Sequence, residues 1–259
     1  MTPKAGKAPK AALAPGTEPT AVEFLARLQA RQSDVEQAKY QRYFKTGKGN
    51  YAEGDFFLGV RMGEVFTLAK EFAAMPPEEI EKLLEQDIHE ARAGAVKIMA
   101  LQTQKKKTTE QRRRTLYEMY LRRHDRINNW DLVDLGAGNV VGGWLMDKPR
   151  DPLYELARSE DMWERRTSIV ATSAFIREGQ LDDTFVIAEI LLHDKEDLIH
   201  KAVGGWVRDA GRSSRERLLA FLDEHAATMP RTALRYAIEH LGKEQRAHYL
   251  TLKDRVSPN

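Results

Sequence analysis

The sequence predicts an all-α fold of stacked helix pairs, a HEAT- or armadillo-like solenoid with a basic concave face. Three observations carry this expectation. Apolar residues recur at helical spacing from Ala21 onward. No segment alternates apolar and polar side chains with the period of two that a half-buried strand needs. A unit of 31 to 38 residues repeats through the middle of the chain.

The elements follow in order. Residues 1–20 are Ala, Pro, Lys and Gly with almost no large apolar side chain, so they read as a flexible basic tail unable to bury enough to fold. Leu25, Leu28, Val35 and Ala38 fit a helix ending near Tyr43 and Phe44, before the turn Thr46-Gly47-Lys48-Gly49-Asn50. Helical spacing then runs over Met62–Ala74, Pro77–Gln86 (proline at a helix start), Ile88–Leu101, Thr109–Arg122 and Asn128–Met146. It resumes over Leu153–Ala157, Met162–Arg177, Thr184–Leu192, Leu198–Ala210, Arg215–His225, Pro230–Leu241 and Glu244–Leu252. One helical domain over 21–252 is expected, with 253–259 as a C-terminal tail.

The repeat aligns units that start at His89, Ile127, Trp163, Leu198 and Met229, spaced 38, 36, 35 and 31 residues apart. Paired-helix repeats of that length stack into curved solenoids. The eighth position of the units holds Val96, Asp134, Val170, Gly205 and Tyr236, and the fourth holds Arg92, Trp130, Arg166, Lys201 and Thr232. Asp134 is the only acid in its column, and Trp130 shares a column with three cations. Were that column to line a concave face, the carboxylate would sit in a basic groove. Trp130 and Asp134 are four residues apart, so a helix points both off one face. Ring face and carboxylate each attract a flat cation; the competing reading is a capped helix start with a half-buried tryptophan.

Composition narrows the function. Hydrophobic residues make up 42% of the chain and charged residues 31%, as in a globular protein with a highly charged surface. No apolar run is long enough to cross a bilayer, and the N-terminus has no secretory signal pattern. Cysteine is absent, which excludes disulfides and thiolate ligands, and the seven histidines show no ligand spacing, so no metal or cofactor is expected. Net charge is only +2, yet Gln102–Arg126 carries nine Lys or Arg against three acids, just after the acidic stretch Pro77–Glu90. That block reads either as a polyanion-facing surface or as a solvated, charge-rich helical hairpin.

Five motifs, in order, resemble the DNA alkylation repair (AlkD-like) family. They are Tyr40–Gly47 (YQRYFKTG), Gly54–Arg61 (GDFFLGVR), Arg126–Asp134 (RINNWDLVD), Trp163–Arg166 (WERR) and Ile199–Gly204 (IHKAVG). The likeness extends from about Glu23 to about Leu241. It implies a HEAT-like-repeat DNA glycosylase that releases N3- and N7-alkylated purines. Asp134 falls on the family's catalytic carboxylate and Trp130 on its pocket tryptophan. Arg166 falls on an arginine that contacts the DNA backbone, and Tyr43 on a tyrosine at the pocket edge. A second pocket tryptophan follows the Ala-Val-Gly segment in the family. Here Gly205 takes that place and the tryptophan is displaced to Trp206, about 100° further round a helix.

The implied chemistry is hydrolysis of an N-glycosidic bond whose cationic base leaves without a general acid. Asp134 would stabilise the oxocarbenium-like sugar and orient water, and Trp130, with Trp206 and Tyr43, would hold the substrate. Arg166, Lys201, Arg208 and the Lys105–Arg126 block would hold phosphates. The expected partner is double-stranded DNA containing alkylated purines, met by a monomer in a bacterial-type cytoplasm among nucleoid DNA, with no membrane involved. Two alternatives stand beside this: a non-catalytic repeat protein for damaged or branched DNA, and a solenoid scaffold for an acidic protein segment.

Overall fold

The computed structural model describes residues 18–256 and is all-helical; its nearest approach to a strand is an isolated bridge between Phe56 and Ile88. Residues 1–17 of the expected N-terminal tail and 257–259 of the expected C-terminal tail lie outside the described residues. The chain divides after Gly136 into two compact units.

The first unit contains α1 (Ala21–Gln29), α2 (Asp34–Tyr43), α3 (Met62–Glu71), α4 (Pro77–Leu84), α5 (His89–Gln104), α6 (Glu110–Arg122) and most of α7 (Trp130–Ala137). Caps set the boundaries. The hydroxyls of Thr20, Ser33 and Thr109 accept the N–H groups of Glu23, Glu36 and Arg112, and Pro77 opens α4, where its missing donor costs nothing. Helix α5 is the buried centre: thirteen of its sixteen residues are inaccessible, and α1, α3, α4 and α6 all pack against it.

Its first turn buries polar groups as well as apolar ones. The Glu90 carboxylate is wholly enclosed and accepts the backbone N–H groups of Leu58 (3.0 Å), Gly59 (2.8 Å) and Val60 (3.1 Å). It thereby satisfies three donors in a segment that forms no helix or strand of its own. Ser33 N–H donates to the Leu58 carbonyl at 3.1 Å, Gln37 Nε2 to the Phe57 carbonyl at 2.6 Å, and His89 N–H to the Phe56 carbonyl at 2.8 Å. Gly59 has φ +78°, and a Cβ there would overlap the Ser33 carbonyl oxygen, so the segment closes only on glycine.

The basic block and the acidic stretch before it are partners. Arg122 and Arg123 pair with Glu81, Arg123 also with Glu85, and Arg126 with Asp87 and the carbonyls of Leu84, Glu85 and Gln86 at and just beyond the end of α4. Arg113 turns inward and donates to the carbonyls of Thr103, Lys105 and Thr108, clamping the turn between α5 and α6. That turn exposes Lys105, Lys106 and Lys107. The far half of the block is thus paired with the acidic stretch, and its near half is an exposed cationic turn.

The second unit opens with a π-helical turn at Gly138–Gly142 and a 3₁₀ turn at Leu145–Asp147. It continues with α8 (Asp151–Leu156), α9 (Met162–Ala171), α10 (Ser173–Arg177), α11 (Asp182–Ile190), α12 (Asp197–Ser213), α13 (Arg215–His225), α14 (Arg231–Ala237) and α15 (Lys243–Val256). The expected helix Asn128–Met146 is thus corrected to three pieces. A Cβ on Gly142 would collide with the Ala171 carbonyl, so α9 packs directly on the backbone of the wide turn. Helix α12 is the centre of this unit, flanked by α9, α11, α13 and α14.

The helices α5, α7, α9, α12 and α14 begin at residues 89, 130, 162, 197 and 231, within three residues of the unit starts expected from the repeat. Gly59→Ala is expected to lower the thermal midpoint sharply, because it adds both overlap and left-handed strain. Gly63→Ala, in α3 with open space around its Cβ, is expected to be neutral or to stabilise by up to about 1 kcal/mol. Thermal unfolding of the two variants checks this contrast.

Candidate active site

The residues expected at the site fall in both units. In the first unit α7 carries Trp130 half-buried and Asp134 exposed, one turn apart on the same face, while Leu132 and Val133 between them are inaccessible. Trp130 rests on an aromatic platform from the 40–57 segment. Phe44 stacks under it at 5.6 Å between centroids and 19° between planes, and Tyr43 meets it edge-on at 5.9 Å. The indole Nε1–H donates to the Tyr51 hydroxyl at 3.3 Å. Phe44 in turn stacks on Phe57 at 4.9 Å. Tyr43 is 63% exposed, and Trp130 adjoins both it and Asp134, so the structure brings Tyr43, Trp130 and Asp134 into one neighbourhood.

Beneath the platform lies a network that the sequence reading did not find. His89 is fully buried, stacked on Phe57 at 4.6 Å. Its Nε2 bonds Asp131 at 2.8 Å and its Nδ1 bonds Asp55 at 3.3 Å. Asp55 also accepts from Arg92 and, at 2.8 Å, from Asn129; Arg92 reaches on to Asn128 and the Arg126 carbonyl. Burial works against a charged ring at His89, but the charge of Asp131 and hydrogen bonds to Asp131 and Asp55 outweigh it and raise its pKa to about 9. At Asp55 burial is likewise outweighed, by the hydrogen bond from His89 and the charge of Arg92, which hold its pKa at about 2. The available signals were His89 and Arg92 at the first and fourth places of a repeat unit, and Asp55 within the Gly54–Arg61 motif.

In the second unit Arg166 is 7% exposed, and its guanidinium donates to the Leu198 carbonyl at 2.6 Å. Lys201 pairs with Asp197 at 2.7 Å, and Arg208 with Asp209 at 3.1 Å and with Glu239. The fourth-position column is therefore not a row of solvent-facing cations. Arg92 and Arg166 each reach forward to the start of the following unit and satisfy carbonyls there. On α12 the helical wheel sets Lys201, Gly205, Arg208 and Arg212 on the outward face. A Cβ at Gly205 would meet nothing within 4 Å. Trp206 follows buried Ala202 and Val203 by four and three residues and precedes buried Ala210 by four. It therefore stands half-buried at the edge of the packed arc, not at the open position beside it. Trp163 is buried, and His200 bonds the Asp194 carbonyl at 2.5 Å, so both serve packing.

The pKa directions set a stability window. His89, raised from 6.5, contributes fully below about pH 6.5, and that contribution is lost as pH rises through about 9. Asp55, lowered from 3.8, contributes fully above about pH 4, and that contribution is lost as pH falls through about 2. Stability is expected to be greatest between about pH 4 and 6.5, with the alkaline decline flattened in His89→Gln; chemical denaturation across pH checks both limbs.

A family profile described as "DNA alkylation repair enzyme" matches residues 24–241. No curated protein sequence matches the chain. A solved structure titled "Predicted DNA alkylation repair enzyme from Enterococcus faecalis" is similar in fold, with a TM-score of 0.62 at 19% identity, covering 82% of this chain and 98% of that one. With its profile match spanning the helices of both units, this chain belongs to the DNA alkylation repair enzyme family.

Proposed function

We propose that the protein is a monofunctional DNA glycosylase that hydrolyses the N-glycosidic bond of cationic N3- or N7-alkylated purines in duplex DNA. The observation that carries this reading is the pair on α7: an exposed carboxylate one turn from a tryptophan whose lower face is already occupied by Phe44. A half-buried ring stacked on Phe44 keeps part of its surface accessible to a flat or cationic partner.

An alkylated purine carries its positive charge before the reaction begins. Its bond to C1′ breaks with the electron pair passing to the base, which leaves neutral and takes no proton from the protein. Positive charge then develops on the sugar. The Asp134 carboxylate stabilises that charge and orients the water whose oxygen bonds to C1′, while the water's proton passes to solvent or to the carboxylate. Trp130 presses against the deoxyribose or the base. Lys105–Lys107 and the cations on the outward face of α12 supply phosphate contacts without sequence preference. Arg166, with little accessible surface, acts in this reading mainly by holding the Leu198 carbonyl. The reading includes a monomer and a cytoplasmic setting with access to nucleoid DNA. No helix among the described residues is long and apolar enough to cross a membrane.

The open surface at Gly205 favours a second reading, a protein that binds damaged DNA without cleaving the base free. Release of methylated base from methylated duplex DNA separates the two. The wild-type chain is expected to release base, Asp134→Asn to lose at least about 100-fold in rate, and Trp130→Ala to lose about 10-fold or more. Lesion binding by the wild type with no release at all would establish the second reading. Replacing Lys105–Lys107 with Gln is expected to weaken binding to any duplex and to flatten its salt dependence by up to about three counterions.

A further inference from the structure

We propose that His89 is a positioning residue of this site: as an imidazolium bonded to Asp55 and Asp131 together, it sets where Trp130 and Asp134 stand. The proposal rests on the reading of those two residues as the substrate-facing pair, and it adds a residue that never touches substrate.

The geometry requires the charged ring. A neutral imidazole has one donor nitrogen and one acceptor nitrogen, whereas an ionised carboxylate can only accept. Both ring nitrogens of His89 face carboxylate oxygens, Nδ1 that of Asp55 and Nε2 that of Asp131. A neutral ring would therefore turn a lone pair toward one of them inside a largely buried cluster. The charged groups around the ring are Asp55 from the 51–60 segment, Asp131 from α7 and Arg92 from α5 itself. Two anions and two cations balance; removing the His89 proton leaves a buried net negative charge.

Asp131 transmits the effect. One of its oxygens accepts from the Leu132 N–H at 2.9 Å and the other bonds His89, so α7 is fixed at its first turn, between Trp130 and Asp134. The aromatic contacts form a second route, since His89 packs against Phe57 and Phe44, and Phe44 is the platform on which Trp130 lies. Loss of the imidazolium sets the Asp131 side chain free of the 51–60 segment and loosens the support under the indole. Buried ion clusters contribute little net stability compared with apolar packing but fix a single arrangement, which is what a site with a one-turn spacing between ring and carboxylate needs.

The test uses the full chain and two readouts. In side-chain NMR, both His89 ring nitrogens are expected to carry protons at pH 7, and the Trp130 indole N–H resonance to shift with the same alkaline midpoint as the His89 ring. The phenols of Tyr43 and Tyr51 also lie beside Trp130, so Asp131→Asn decides the origin: it is expected to lower the His89 and Trp130 midpoints together. In single-turnover base release, the wild-type rate is expected to be half-maximal near pH 9. His89→Gln is expected to be about 10-fold or more slower at pH 7 and to lose that limb, with duplex affinity changed less than threefold. A Trp130 resonance indifferent to the His89 titration, or an alkaline limb unmoved in Asp131→Asn, overturns the proposal. If the wild type releases no base at any pH, the glycosylase reading fails by itself, and the coupled NMR midpoints still decide the positioning role. Should His89→Gln not fold, Asp131→Asn carries both readouts.

Discussion

The first turn of α5 places His89, Glu90 and Arg92 where water cannot reach them, and most of the first unit's irregular backbone hangs from those three side chains. Glu90 gathers three N–H groups of the 58–60 segment. His89 and Arg92 meet Asp55 at the start of the same segment and extend to Asn128 and Asp131. Desolvating so many polar groups costs several kcal/mol apiece unless every one is matched. The matching is close, with Arg92 Nε and Asn129 Oδ1 left without a hydrogen-bond partner, so the loop, the α5 helix and the start of α7 are mutually compatible in few arrangements. The aromatic platform and the ring of Trp130 follow from that compatibility.

Much of the fold was legible because helical periodicity and caps are local. The proline at the start of α4 is a property of a few consecutive residues, but the cap at Ser33 went unread, and the single helix expected to end near Tyr43 and Phe44 is two, α1 and α2. The repeat register identified the starts of five helices to within three residues, since each unit solves the same packing problem. The division of the expected helix Met162–Arg177 into α9 and α10 went unread as well, and so did that of α7 from the turns that follow it. That break depends on how near Ala171 comes to Gly142, a contact between residues 29 apart in sequence.

The site was legible to a different degree. The Trp130–Asp134 spacing gave the shared face, because a four-residue interval on a helix admits little else. The columns of the repeat misled as to charge. Arg92 and Arg166 looked like members of a cationic row, yet both are buried: Arg92 donates to the side chains of Asp55 and Asn128 and to the Arg126 carbonyl, and Arg166 to the Leu198 carbonyl. An arginine's five donors suit it to that task as well as to phosphate, and sequence alone does not distinguish the two uses. The same limit applies to Arg122, Arg123 and Arg126, whose partners on and just beyond α4 lie about forty residues earlier. Trp206 was a question of phase: one residue of displacement moved it from the open face of α12 to the margin of its packed side.

The clamp formed by Arg113 has a consequence for how the basic turn evolves and how its variants behave. Because the guanidinium holds three carbonyls of the turn between α5 and α6, the backbone that presents Lys105–Lys107 is ordered before any polyanion arrives. The entropy of shaping the loop is thus charged to folding, not to association. The lysines can be exchanged, moved by one place or replaced by arginine with little effect on the scaffold, so this stretch is free to tune its electrostatic reach. Arg113 has no such freedom. Its loss removes a single charge from the surface but would be felt by all three lysines, as a looser turn whose cations no longer arrive together.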